Sequence, residues 1–181
     1  MRKMAQIGSF KNVNIYVHWS VSLVLLVAVL GTFRNPSAAI FGFFSFGGLM
    51  LLHEIGHTLV AHRLGYDVFE IELYPFHGRV HYQAPWSRHD ECLIAGGGVA
   101  AQIALAIPVI ACLERFGYPK NDAMAAVLVI LGPLNAIIAG VNLVPAPGLD
   151  GAHAWHLIPL AIRKLWDKRH RRQTTRRQSN W

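Results

Sequence analysis

Charge is what this sequence has least of. Only 15% of its 181 residues are Asp, Glu, Lys or Arg, against 53% hydrophobic. Four stretches carry none of the four: Asn12–Phe33, Asn35–His53, Leu93–Leu113 and Ala123–Leu149. Each is near or above the roughly 18 to 20 residues that cross a hydrocarbon core. An ordinary soluble domain is excluded, and four membrane-spanning helices are predicted. A cleaved signal peptide is a poor reading of the first stretch, because Gly31 to Pro36 offers no clear small-residue cleavage site and three more spans follow. The N-terminus is expected to be retained. Cysteine is almost missing as well. Cys92 and Cys112 stand at opposite ends of the third stretch, about 30 Å apart at the helical rise, so they cannot bond and no disulfide framework exists.

Acids are also few, 10 against 17 Lys and Arg, which leaves a net charge of +7. Much of the excess lies in KRHRRQTTRR near the end of the chain. Basic residues beside a span mark its cytoplasmic side and favour anionic headgroups, a better reading than nucleic-acid binding. With the N-terminus in the cytoplasm, Arg2, Lys3, Lys11, Arg63, Arg79, Arg88 and eight cations from Arg163 to Arg177 fall inside. Only Arg34, Arg115 and Lys120 fall outside. The inverted topology is disfavoured.

Between the spans, no internal repeat is visible. GSFKNVNIYVHW alternates weakly and predicts a small strand leading to His18 and Trp19 as an interfacial anchor. The second span is expected to stop at Leu64, before the terminator Gly65. DVFEIELYPFHGRVHYQ sets Phe69, Ile71 and Leu73 against Glu70 and Glu72, turns between Pro75 and Gly78, and resumes with Val80 and Tyr82. That pattern is a hairpin at the cytoplasmic surface. AGGGVAAQ opens the third span with small residues that allow close helix approach in lipid. Glu114–Asp122 is too short to hold a domain between spans three and four. From Gly151 only twelve uncharged residues precede Arg163, too few to span; with His153, Trp155, His156 and Trp166 they suit an interfacial helix. The expected fold is an all-α polytopic membrane protein with about four transmembrane helices, a small cytoplasmic-side β-hairpin and a C-terminal interfacial helix. Residues 1–166 would form the membrane-embedded domain, and 167–181 a basic, disordered cytoplasmic tail.

Against this apolar background, LLHEIGHTLV (Leu51–Val60) places two histidines and a glutamate where lipid rejects them. An ionisable group at that depth costs about 2.5 kcal/mol or more unless paired, so a functional role is the default. HEIGH fits HExxH, in which His53 and His57 project from one helical face and can share a zinc ion, with Glu54 beside it as a base. Zinc then needs a third protein ligand. His62 is about half a turn out of phase with the pair. The metzincin continuation is excluded, because Val60 stands at its glycine position and Arg63 at its last histidine. Glu70 and Glu72 are possible ligands but read better as the solvated face of the hairpin. Asp150, in NLVPAPGLDG (Asn142–Gly151), follows two prolines that prevent a regular helix. Broken backbone at membrane depth is expected around a buried or wet site, although a polar helix end would look the same.

HEIGH and NLVPAPGLDG together resemble the two signature motifs of the site-2 protease family, zinc metalloproteases that cut within the membrane. The family pattern N-x-x-P-x-P-x-L-D-G is matched at Asn142, Pro145, Pro147, Leu149, Asp150 and Gly151. IYVHWS, LYPFHG and LGPLNAIIAGVN look like the family too. AGGGVAAQ departs from the AGP-x-x-N of many members, with Gly97 for the proline and Gln102 near the polar position. The resemblance implies that Asp150 is the third ligand of one Zn2+ per chain. It implies further that Glu54 transfers the proton, that the partners are transmembrane helices of other membrane proteins, and that Asn142 binds substrate backbone. VFEIELY directly follows the zinc-bearing helix, so its strand, with Phe69, Ile71 and Leu73, is expected to hold an unwound substrate as an added strand. No PDZ or CBS domain has room in this length. The expected location is a prokaryotic-type cytoplasmic membrane, crossed several times, with both termini cytoplasmic. The alternatives are a non-proteolytic metal carrier or channel, against which the intact Glu54 argues, and another class of membrane HExxH protease, from which NLVPAPGLDG separates the chain.

Overall fold

The computed structural model describes residues 4–31, 35–75, 77–157 and 159. Among them, three helices are long and apolar enough to cross a membrane. They are α2 (Pro36–Arg63), α3 (Arg88–Phe116) and a run over Asp122–Asn142. The run is α4 (Asp122–Val129), a π turn over Ile130–Leu134, and α5 (Asn135–Asn142). Local chemistry sets their ends. Asn35 caps α2 by accepting from the Ala38 N–H, with Pro36 in the first turn. Ser87 does the same for α3 through Asp90, and Asn121 for α4 through Met124. Leu64 is the C-cap of α2, and Gly65 follows in the left-handed region at φ 86°, as the sequence predicts. The Asn35 side chain also donates to the Asp122 carboxylate, tying the starts of α2 and α4 together.

The first predicted span is shorter than expected. α1 covers Ser20–Gly31, 12 residues or about 18 Å at the helical rise, and residues 32–34 lie outside the described set. The start of that uncharged stretch is used instead by strand β2 (Val13–His18). Absence of charge does not separate strand from helix, whereas the alternating β-branched Val13, Ile15 and Val17 favour the strand. The predicted small strand is itself a hairpin. β1 (Met4–Phe10) pairs antiparallel with β2 across a turn at Lys11 and Asn12, both at positive φ. Of the predicted C-terminal interfacial helix, the one-turn α6 (Gly151–Ala154) is described. Residues 155–157 follow it in turn and helical backbone, while residues 158 and 160–166 and the tail at 167–181 lie outside the described residues.

The predicted hairpin is present as β3 (Val68–Leu73) and β4 (Gly78–Tyr82), joined to the N-terminal pair in one sheet of order β1-β2-β3-β4. β2 and β3 run parallel, with Ile15 opposite Ile71 and Val17 opposite Leu73. Val13, Ile15, Val68, Ile71 and Leu73 form one core with Ala61 of α2, Tyr66 and Ile94 of α3. The sheet is thereby fixed to the end of α2 and the start of α3, which places β4 against α2.

Candidate metal centre

Residues four apart lie one above the other on a helix, so α2 presents His53 and His57 together, their Nε2 atoms 3.1 Å apart. α5 ends at Asn142, and Pro145 and Pro147 keep the following backbone from continuing the helix. The turn returns Asp150 to the same point, where its Oδ2 is 3.1 Å from His53 Nε2 and 3.4 Å from His57 Nε2. Gly151 makes this return possible. A Cβ there would overlap the Leu143 and Val144 carbonyls.

The outer nitrogens of both rings are engaged. His57 Nδ1 lies 2.7 Å from the Ile94 carbonyl and His53 Nδ1 lies 3.0 Å from Gln102 Oε1. A carbonyl only accepts, so His57 Nδ1 carries the proton and its Nε2 presents a lone pair; the Gln102 oxygen sets His53 the same way. Asp150 Oδ2 is buried and has no hydrogen-bond donor among the described residues. With both rings neutral, three acceptor atoms therefore face one another at 3.1 to 3.4 Å. That arrangement repels itself unless a cation sits among them. Ligands about 2.0 to 2.1 Å from a tetrahedral zinc lie about 3.3 Å from each other, so the triangle fits that ion in both size and donor type.

Glu54 is 5% exposed and stands on α2 next to His53. Gly78, the first residue of β4, packs so close that a Cβ there would overlap the Glu54 carboxylate. α3 approaches equally closely. A Cβ on Gly98 would stand 2.5 Å from His57 Nε2 and 2.6 Å from His53 Cε1, and one on Gly97 would stand 2.6 Å from the Gly56 carbonyl oxygen. The glycines of AGGGVAAQ thus serve packing, as predicted, although Gly96 meets nothing within 4 Å.

A cavity of about 450 Å³ opens onto these groups, lined among others by Glu54, Val80, Tyr82, Gln102 and Asn142. Burial, with Glu91 and Asp150 nearby, pushes the Tyr82 phenol up, so it remains a neutral donor at the cavity wall. His153 and Glu91, 2.9 Å apart, link α6 to the start of α3 along the same wall.

Two sequence expectations change here, the solvated face for Glu72 and the open edge of β3, while Glu70 and Glu72 stand apart from the metal centre as expected. Glu70 and Glu72 do not join the histidine pair; they gather with His81 in a separate group, and His81 and Tyr74 both contact the Glu72 carboxylate. Glu72 is only 6% exposed, so it is not on a solvated face. β3 is an inner strand with β2 on one side and β4 on the other, so it has no open edge for a substrate. Ile71 and Leu73 belong to the core, while a bulge between Val68 and Glu70 turns Phe69 outward, 61% exposed. The outer strand beside the cavity is β4. Asn142, expected to bind substrate backbone, lines the cavity, and its Nδ2 is 3.4 Å from Gln102 Oε1. Sequence reading marked Gln102 as near the family's polar position but did not foresee its contact with His53. Its signals were that position and a polar side chain within an uncharged span.

No family model matches the chain. It is 27% identical over 166 residues to Rip3 of Mycobacterium tuberculosis, covering 83% of this chain and 42% of that one. It is 30% identical over 125 residues to Rip2 of Mycolicibacterium smegmatis, covering 65% and 48%. Both are named as candidate zinc metalloproteases. A zinc metalloprotease of Methanocaldococcus jannaschii is 27% identical over 150 residues, with coverage of 78% and 42%. The chain spans less than half the length of these curated relatives. Among solved structures, a site-2 protease from Methanocaldococcus jannaschii superposes with a TM-score of 0.68 at 24% identity, covering 86% of this chain and 71% of that one. The fold is shared.

Proposed function

We propose that this chain, which belongs to the site-2 protease family by its two motifs, its fold and its likeness to zinc metalloproteases, hydrolyses peptide bonds within the membrane-spanning segments of other proteins. The observation that carries the reading is the triangle of His53, His57 and Asp150 with Glu54 buried beside it. Those three residues would hold zinc, which would supply a Lewis acid to polarise the scissile carbonyl and acidify water. Glu54 accepts a proton from the attacking water. As the water oxygen bonds to the carbonyl carbon and the C–N bond breaks, Glu54 returns the proton to the leaving nitrogen. The chain's own residues also have to hold the substrate extended, because amides in a helix are bonded within it and each one freed in lipid costs several kcal/mol if unpaired. β4 supplies partners for them. It is the outer strand, and Gly78 at its start touches Glu54. The sheet end of the helices is the cytoplasmic one in this reading, which keeps the basic residues inside.

A metal carrier would have no use for a buried carboxylate aligned beside two ligands. The separating experiment is Glu54→Gln. It should lower cleavage of a co-expressed single-span substrate by roughly 10² to 10⁴-fold while zinc stays bound. Cleavage at the wild-type rate would reject Glu54 as the base.

A further inference from the structure

Gln102 is 1% exposed on α3, and it bonds to two other helices, α2 and α5, at once. Its Oε1 lies 3.0 Å from His53 Nδ1 on α2 and 3.4 Å from Asn142 Nδ2 at the end of α5. Its main-chain carbonyl accepts from Asn135 Nδ2 at 2.8 Å. Asn135 is fully buried and also donates to the Leu131 carbonyl within the π turn. The two asparagines stand two turns apart on one helical run, and both hold Gln102.

An amide side chain has an accepting end and a donating end, and which of them meets His53 decides where the imidazole proton lies. With the oxygen toward His53, Nδ1 is protonated and Nε2 offers its lone pair to the metal. With the amide turned over, the NH₂ would donate to Nδ1, the proton would move to Nε2, and His53 would lose its ligand atom. Nothing in a glutamine alone prefers the first arrangement. Asn142 favours it as the two amides stand, with its Nδ2 facing the Gln102 oxygen at 3.4 Å.

From this geometry we infer that Gln102 is a positioning residue that fixes the metal-binding tautomer of His53, and that Asn142 acts on the metal through Gln102 by holding its amide in register. The inference rests on the zinc-site reading above. It gives the asparagine of NLVPAPGLDG a second task, and it explains why a long amide side chain occupies this point of AGGGVAAQ.

The test measures zinc retention by the purified full-length protein against a competing chelator, with helical content by circular dichroism as the folding control. Gln102→Leu, similar in volume but without an acceptor, should loosen zinc by about 10 to 100-fold. Gln102→Glu has an oxygen at either end and should retain zinc at least as tightly as wild type. Asn142→Leu should loosen zinc in the wild-type background but not in the Gln102→Glu background, because a carboxylate has no wrong face to present. A packing role would give the opposite pattern, with Glu as harmful as Leu and Asn142→Leu equally costly in both backgrounds. If Gln102→Leu does not fold, the Asn142→Leu comparison decides by itself. If wild type retains zinc and both Gln102→Leu and Asn142→Leu retain it equally, the positioning role is wrong while the zinc site stands. If wild type holds no zinc, the reading of the site itself fails.

Discussion

His53 Nε2 on α2 and Asp150 Oδ2 at the start of α6 stand 3.1 Å apart, brought together by a break after Asn142 that reverses the chain. This contact joins the two motifs into one centre, and it sets Asp150 apart from the acids of the sheet.

Asp150→Ala should reduce bound zinc to roughly a tenth of wild type or less under chelator competition, because one of three charge-bearing or lone-pair ligands is gone. Glu72→Ala should keep the zinc. Its cost should appear in stability, about 1 kcal/mol, from the loss of the acceptor that His81 and Tyr74 share. Metal analysis with the reverse outcome would move the third ligand to the sheet.

The glycines of α3 make a paired prediction. Gly98→Ala places a methyl group against both histidine rings and should displace them enough to lower zinc occupancy several-fold. Gly96→Ala meets open space and should leave zinc unchanged, with melting temperature equal or slightly raised, since alanine favours a helix over glycine by up to about 1 kcal/mol. Equal zinc loss in both variants would mean that helix packing in general, and not contact with the rings, is at work.

Strand addition at β4 can be tested at a single backbone group. The Tyr74 N–H donates to the His77 carbonyl, so in the alternation of an antiparallel ladder the next bonded pair is Glu72 with Arg79, and the N–H of Val80 turns to the open edge. Val80→Pro removes that donor without breaking the pairing to β3. It should slow cleavage of a helical substrate by about tenfold, near the 1 to 1.5 kcal/mol of a lost hydrogen bond, with zinc unchanged. Ile71→Pro, in the inner strand, should instead destabilise the whole sheet. A wild-type rate for Val80→Pro would leave β4 as a cover over the cavity.

The basic bias of the sheet end predicts orientation. A reporter inserted at Pro119 should lie outside the cytoplasm, and one fused after Trp181 inside. Finding the Pro119 reporter in the cytoplasm would invert the topology.

What the sequence determined by itself are the features set by neighbours along the chain. His53 and His57 share a face because any helix puts residues four apart together. α2 ends at Leu64 because Gly65 can take a positive φ, and α5 ends at Asn142 ahead of two prolines. Uncharged length announced the spans. Tertiary structure decided whatever depends on which distant segment comes alongside. The pattern of β3 could not say that β2, separated from it by α1 and α2, would pair along one side and close its edge. The bulge that turns Phe69 outward also depends on β4. Composition alone could not divide the first uncharged stretch between β2 and α1. Gln102 reads in the sequence as one polar residue in an apolar helix. It acquires a role only because α2 and α5 each bring a hydrogen-bonding group to its amide, in an interior where an unpaired polar group is costly.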